Sequence, residues 1–143
     1  MTARDEADQA TAGAPPPGGG VEDRVARIGG VTYLHIAARD PRQSAAFYQA
    51  VFDWSLGGDP DRPSFADGTG HVIGRWVTNL DVVGEAGVVP YVYVARIDDT
   101  ITKIIAHGGD VVTPPYPEGD LWVATCHDPA GNVVGIWQQG LRA

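Results

Sequence analysis

The chain writes one short segment twice. Residues 67–76 read DGTGHVIGRW and residues 128–137 read DPAGNVVGIW, and Asp67, Gly70, Val72, Gly74 and Trp76 are answered at a constant offset of 61 by Asp128, Gly131, Val133, Gly135 and Trp137. A repeat of this kind constrains a fold more than composition does. It implies one supersecondary unit built twice, with the copies burying their apolar faces together.

What precedes each segment repeats as well. Residues 31–37 are β-branched and aromatic and read as a strand. Asp40-Pro41 supplies a helix cap and a first helical residue that needs no N–H partner, and Phe47, Tyr48, Val51 and Phe52 then fall on one helical face. Gly57-Gly58-Asp59-Pro60 breaks the pattern, and short strands are expected around Trp54, Phe65 and residues 71–78. In the second half, residues 90–95 read as a strand. Asp98 is placed to cap a helix carrying Ile101, Ile104 and Ile105, which Gly108-Gly109 ends. Residues 111–113, 121–126 and 132–138 are the remaining strands. Ala38-Arg39 matches Ala95-Arg96 at an offset of 57, so the second half is the longer by four residues, which the loop at 114–119 accommodates. The expected fold is α+β: two βαβββ modules, about residues 30–80 and 88–139, with curved mixed sheets around a cavity. They lie in one domain spanning 28–143. Residues 1–20 contain no Leu, Ile, Val or aromatic residue, so a disordered tail is expected over residues 1–27.

Composition excludes several function classes. With 18 acidic and 10 basic residues the net charge is −8, and no basic cluster marks a nucleic-acid binder. An acidic surface favours cationic ligands and repels phosphates and anionic lipid, or else serves solubility alone. No apolar run reaches the roughly 20 residues that span a bilayer, and no signal-peptide pattern opens the chain. A single cysteine, Cys126, excludes an internal disulfide and suits a reducing cytoplasm, where the protein is expected.

Asp40-Pro41 through Phe47-Tyr48, Val51-Phe52-Asp53-Trp54, Gly108-Gly109, Asp128-Pro129-Ala130-Gly131 and Gly135-Ile136-Trp137, taken in order and with the duplication, resemble the vicinal oxygen chelate superfamily of glyoxalases, bleomycin-resistance proteins and extradiol dioxygenases. The resemblance covers about Val31 to Gln139. It implies paired βαβββ modules whose sheets each supply half of a cavity. In metal-dependent members it also implies a divalent ion held by side chains from the first and last strand of each module. Carried over one at a time, those positions fall on Tyr33, Pro90, Gly74 and Gly135. Pro and Gly offer no side-chain donor, and zinc-like ions want three or four. The usual site therefore reads as abolished, with no metal and no cofactor expected.

Two glycines at ligand positions either leave room for an organic molecule or mark bulges or a close backbone approach. Tyr33, His35, Gly74, Trp76, Val92, Trp122, Gly135 and Trp137 are the expected ligand-binding residues. Tyr91 and Tyr93 alternate away from Val92 and are expected on the helix side. Each tryptophan stands equally well as a stacking wall or as core. Trp122 is expected at the cavity mouth, after the loop at 114–120, which reads either as a lid or as a rigid surface turn. His35 and Tyr33 are the candidate acid/base groups, set against a packed histidine and a core tyrosine. His71, His107 and His127 suit exposed turns and a helix end, and a metal site from His35, His71 and His127 is disfavoured. Cys126 is expected to be a buried structural thiol. The chain is thus expected to be a metal-independent small-molecule-binding protein, for an antibiotic or a metabolite, and a homodimer. The alternative is an isomerase, cyclase or lyase using His35 and Tyr33, with a glyoxalase-like metal enzyme less favoured.

Overall fold

The computed structural model describes residues 23–84 and 87–142. The expected tail falls mostly outside them. Its last residues do join the domain: Val25 is buried, and the Arg24 carbonyl oxygen lies 2.7 Å from Nδ1 of His71.

The element order is β1 (Tyr33–Ala37), α1 (Pro41–Phe52), β2 (Ser55–Asp59), β3 (Arg62–Ala66), β4 (Ile73–Val77), β5 (Tyr91–Tyr93), α2 (Ile97–Ala106), β6 (Asp110–Glu118), β7 (Leu121–His127) and β8 (Val133–Gln139). The first sheet is ordered β1-β4-β3-β2 and the second β5-β8-β7-β6. In each, the first strand pairs parallel to the last and the other pairings are antiparallel. The α+β fold of two βαβββ modules is therefore present as the duplication implies.

Helix α1 begins as expected. The Asp40 carboxylate accepts from the Arg42 N–H at 3.1 Å, and Pro41 occupies the first turn. Helix α2 begins otherwise. Arg96 holds the cap position without a side-chain capping bond, and Gln138 of β8 accepts from the Ile97 N–H at 2.7 Å. Asp98 sits inside the first turn with Asp99, where negative charge favours the helix dipole. The buried stripe of α2 is Ile97, Thr100 and Ile104, and Ile105 faces solvent.

Two further expectations change. The glycine pair at 57–58 lies within β2, an exposed edge strand. Residues 114–118, expected as part of a loop, continue β6. Pro114, Pro115 and Pro117 are tolerated because β6 is an edge strand, and its ladder to β7 shifts register on either side of Thr113.

One core joins both modules, running from Phe47, Tyr48 and Val51 of α1 to Ile104, Ala124 and Ile136 of the second module. Within it Trp54 stacks between Tyr48 and Phe65, with ring centroids 4.7 and 4.8 Å apart, and Trp76 lies 4.9 Å from Phe65. The helices touch each other, whereas the two sheets share no ladder. Each sheet thus has a helix face turned into the common core and an open face turned away from it.

Asp128 fastens the modules together. It is 2 % exposed. One carboxylate oxygen accepts from the backbone N–H groups of Ala130, Gly131 and Asn132, and the other accepts from Asn132 Nδ2 and, at 2.9 Å, from the Tyr48 hydroxyl. Asn132 in turn donates to the Ala37 carbonyl across the module boundary. Burial, then the Asp128 charge and its hydrogen bond, hold the Tyr48 phenol well above its ordinary pKa of 10.0.

Candidate functional site

The twin segments that suggested the site are not equivalent in space. Both turns close alike through Gly70 and Gly131, whose N–H groups donate to the carbonyls of Asp67 and Asp128. The strands then resume at different points: the Asp67 N–H donates to the Val72 carbonyl, but the Asp128 N–H donates to that of Asn132. The first turn is longer by one residue. Ala38 bonds to Val77 as Val94 bonds to Trp137, which fixes the equivalence of the strands. Arg75 therefore corresponds to Gly135, Trp76 to Ile136 and His35 to Tyr91. A one-residue slip exchanges the two faces of a strand.

The open faces follow from this register. On the first sheet, Tyr33 and His35 of β1 lie on the open face, as expected, with Tyr33 44 % exposed. Their rings meet edge to face with centroids 5.4 Å apart. His35 pairs with Arg75 of β4, and Arg75 with Ser64 of β3. Nη1 of Arg75 donates to the Arg62 carbonyl at 2.8 Å. Burial lifts the Tyr33 phenol above its ordinary 10.0, and the neighbouring Arg75 charge and hydrogen bond offset part of that rise. Tyr33 is thus a neutral O–H donor at neutral pH.

Gly74 and Trp76 belong to the helix face, so neither is among the ligand-binding residues expected there, and of the two alternatives for Trp76 the core is realised. Trp76 is 3 % exposed, and a Cβ on Gly74 would collide with the Leu34 carbonyl oxygen and stand 2.6 Å from the Phe65 ring. Gly74 is there because backbone and an aromatic ring crowd it, not to open a cavity. Val92 also packs into the core, and Tyr91 and Tyr93 take the open face that was expected of it. Trp122 pairs with Gln138 on the helix face, packs against the core, and carries the Arg142 guanidinium 5.1 Å over its ring.

Gly135 and Trp137 do lie on the open face of the second sheet. The Tyr91 ring occupies the space a Gly135 side chain would take. Tyr93 and Trp137 pack with centroids 4.6 Å apart. Tyr91, Tyr93 and Trp137 together make an aromatic platform.

Residue-type reasoning missed Arg75, because the equal spacing of the twin segments hid the extra turn residue. It also missed a pair at the far side of the second sheet, where Nδ1 of His127 lies 2.6 Å from the Asp110 carboxylate. Asp110 and His127 are directly paired across β6 and β7, so period-2 alternation was the only signal available. Among the described residues no group of three or more His, Cys, Asp or Glu is gathered to hold a metal ion, and no helix is long and apolar enough to cross a membrane. A shallow recess lined by Ala38, Arg39 and residues 80–83 lies at the link between the modules and contains none of the candidates.

Known structures share this fold. A glyoxalase/bleomycin resistance protein/dioxygenase family enzyme from Burkholderia phytofirmans PsJN superposes with a TM-score of 0.64 at 21 % identity, over 76 % of this chain and 97 % of that one. The fosfomycin resistance protein FosX from Listeria monocytogenes gives 0.66 at 14 % identity, over 82 % and 100 %. A mutant of the Listeria protein, complexed with Mn(II) and 1S,2S-dihydroxypropylphosphonic acid, gives 0.66 at 13 %, over 80 % and 95 %. CFP32 of Mycobacterium tuberculosis (strain CDC 1551 / Oshkosh), which carries a provisional glyoxylase name, is 25 % identical over a 126-residue alignment that covers 78 % of this chain but only 46 % of the relative, so the chain spans about half its length. The glyoxalase-like domain family matches residues 33–136, and the chain belongs to that family.

Proposed function

We propose that this glyoxalase-like domain binds a small organic molecule without a metal ion, in cavities formed by the open faces of its sheets. The observation that carries the reading is the set of side chains on those faces. Where relatives of the metal-dependent kind use chelating groups from first and last strands, this chain offers Tyr33 and His35, Arg75, Tyr91 and Gly135. One imidazole beside a guanidinium does not fit a dication, which wants several neutral or anionic donors and is repelled by a fixed positive charge. The manganese named for the Listeria protein is therefore not carried over.

An aromatic platform and a polar row are what a small-molecule site combines: apolar contact for affinity and a few polar groups for orientation. Tyr33, Tyr91 and Tyr93 are 44, 48 and 58 % exposed, a large aromatic area for a monomer to leave in water. The modules of one chain pack through their helices, so their open faces are not opposed to each other. We therefore take the working unit to be a homodimer in which module one of one chain faces module two of the other.

Native mass spectrometry of protein purified without chelator tests both parts. The expected species is twice 15.1 kDa without stoichiometric divalent metal. One divalent ion per cavity would overturn the metal-free reading. Trp137 is the tryptophan on an open face, so ligand binding should change emission in wild type and not in Trp137→Phe.

A second reading, an acid/base enzyme, draws support from the His127–Asp110 pair. A carboxylate on Nδ1 fixes the imidazole and leaves Nε2 for proton exchange. With a substrate in hand, His127→Gln would lower turnover at least about tenfold without weakening binding if this reading holds.

A further inference from the structure

We propose that Arg75 anchors a carboxylate-type oxyanion of the bound molecule, so that the ligand is an anion with an apolar or aromatic body. This deepens the binding reading above and rests on it.

Four strands contribute to one row. His35 of β1 stands beside Arg75 of β4, which stands beside Ser64 of β3, which stands beside Gly57 of β2. The row presents an imidazole, a guanidinium and a hydroxyl, and ends on a residue with no side chain. Tyr33 adds its phenol from the next open-face position of β1. The Arg62 carbonyl and the Tyr33 oxygen use only part of the five N–H donors of the guanidinium, and the rest keep the fork geometry that matches a carboxylate.

Among the described residues no carboxylate neutralises the charge of Arg75. Among the described residues, Arg42, Arg96 and Arg142 form ion pairs with Asp61, Asp99 and Asp98, and Arg75 forms none. Of the two acidic residues of the neighbouring hairpin, Asp61 is the one paired with Arg42, and Asp59 stands opposite Arg62 and off the row. A half-buried guanidinium without a counter-charge is costly, and a ligand anion removes that cost. The chain as a whole carries −8, so this face is opposite in sign to the bulk of the molecule. The cationic ligand favoured by net charge is thus not the one favoured by the local field.

The test uses two dyes with the same anilinonaphthalene body. 8-Anilinonaphthalene-1-sulfonate carries an oxyanion, and N-phenyl-1-naphthylamine is neutral. Wild type should bind the anionic dye more tightly, by about tenfold to a hundredfold, as expected for a charge-assisted contact. Arg75→Gln should abolish the difference and leave the neutral dye unchanged, and Arg75→Lys should keep part of it. Raising ionic strength should weaken the anionic dye alone in wild type, a readout that needs no variant. Equal binding of the two dyes, or an anionic dye indifferent to both Arg75→Gln and salt, would overturn the anion assignment and leave small-molecule binding standing. Failure of both dyes to bind would defeat the binding reading and this inference with it.

Discussion

At the scale of single residues, position decides what identical residues do. Gly74 and Gly135 match in sequence, yet they are crowded by different things. A Cβ on Gly74 meets the Leu34 backbone carbonyl and a core ring, whereas on Gly135 it meets the ring of Tyr91, which is 48 % exposed. Backbone cannot move aside; an exposed ring can. Gly74→Ala should therefore cost about 3 kcal/mol, at the upper end for overpacking, and Gly135→Ala about 1 kcal/mol or less. Paired denaturant titrations would check the order, and equal losses would contradict the assignment of the two glycines to different faces. Cys126 gives a chemical prediction at the same scale. Burial, and secondarily the Asp110 charge, raise its thiol to about 11, and it is 1 % exposed. At pH 8 about one thiol in a thousand is ionised. Native protein should resist iodoacetamide for hours and react fully once unfolded. Rapid native alkylation would show that β7 opens locally.

At the scale of elements, the two repeated turns differ in weight. Asp67 organises an exposed turn, accepting from the Thr69 backbone N–H, the Thr69 hydroxyl and the Val72 backbone N–H. Asp128 does the same for its own turn but is buried and also accepts from Tyr48 of α1. Asp128→Ala should destabilise by about 3–5 kcal/mol because several buried donors lose their partner together. Tyr48→Phe should cost about 1.5–3 kcal/mol, the range for one hydrogen bond to a charged group. Asp67→Ala should cost about 1 kcal/mol. Thermal melts of the three variants give the ranking, and a larger loss for Asp67→Ala than for Asp128→Ala would refute the module joint. Strand and helix order are legible in the sequence because β-branched runs, the Asp40-Pro41 start and the glycine stops are local signals. Helix α2 is legible only in part, since its cap comes from Gln138, distant in sequence. The sequence truncates β6 because prolines mark loops unless a strand is known to be an edge. The faces of β4 and β5 are not legible at all. Each depends on a one-residue register, and the matched Val, Gly and Trp of the twin segments point to the wrong one. Tyr33, His35, Gly135 and Trp137 can be found because their strands are counted from nearby helices or turns of ordinary length. Arg75 lies beyond the turn that carries the extra residue.

At the scale of the whole molecule, the question is which sheets face each other across a cavity. Within one chain, α1 and α2 bring the modules together through the shared core, and the polar row of the first sheet and the aromatic platform of the second lie on faces turned away from it. A molecule that needs both an Arg75 anchor and a Trp137 platform can touch them together only if a second chain supplies one of them. Two-fold symmetry then creates two such cavities per dimer, each with Arg75 from one chain and Trp137 from the other. This arrangement has a signature that no single variant shows. Arg75→Gln and Trp137→Ala should each lose most of the binding of 8-anilinonaphthalene-1-sulfonate. After the two variants are mixed in equal amounts, unfolded and refolded together, half the dimers are hybrids. In each hybrid one cavity carries both changes and the other carries neither. About one quarter of all cavities should then bind the dye with wild-type affinity. If each cavity is built within one chain, every cavity keeps one defect and mixing restores nothing.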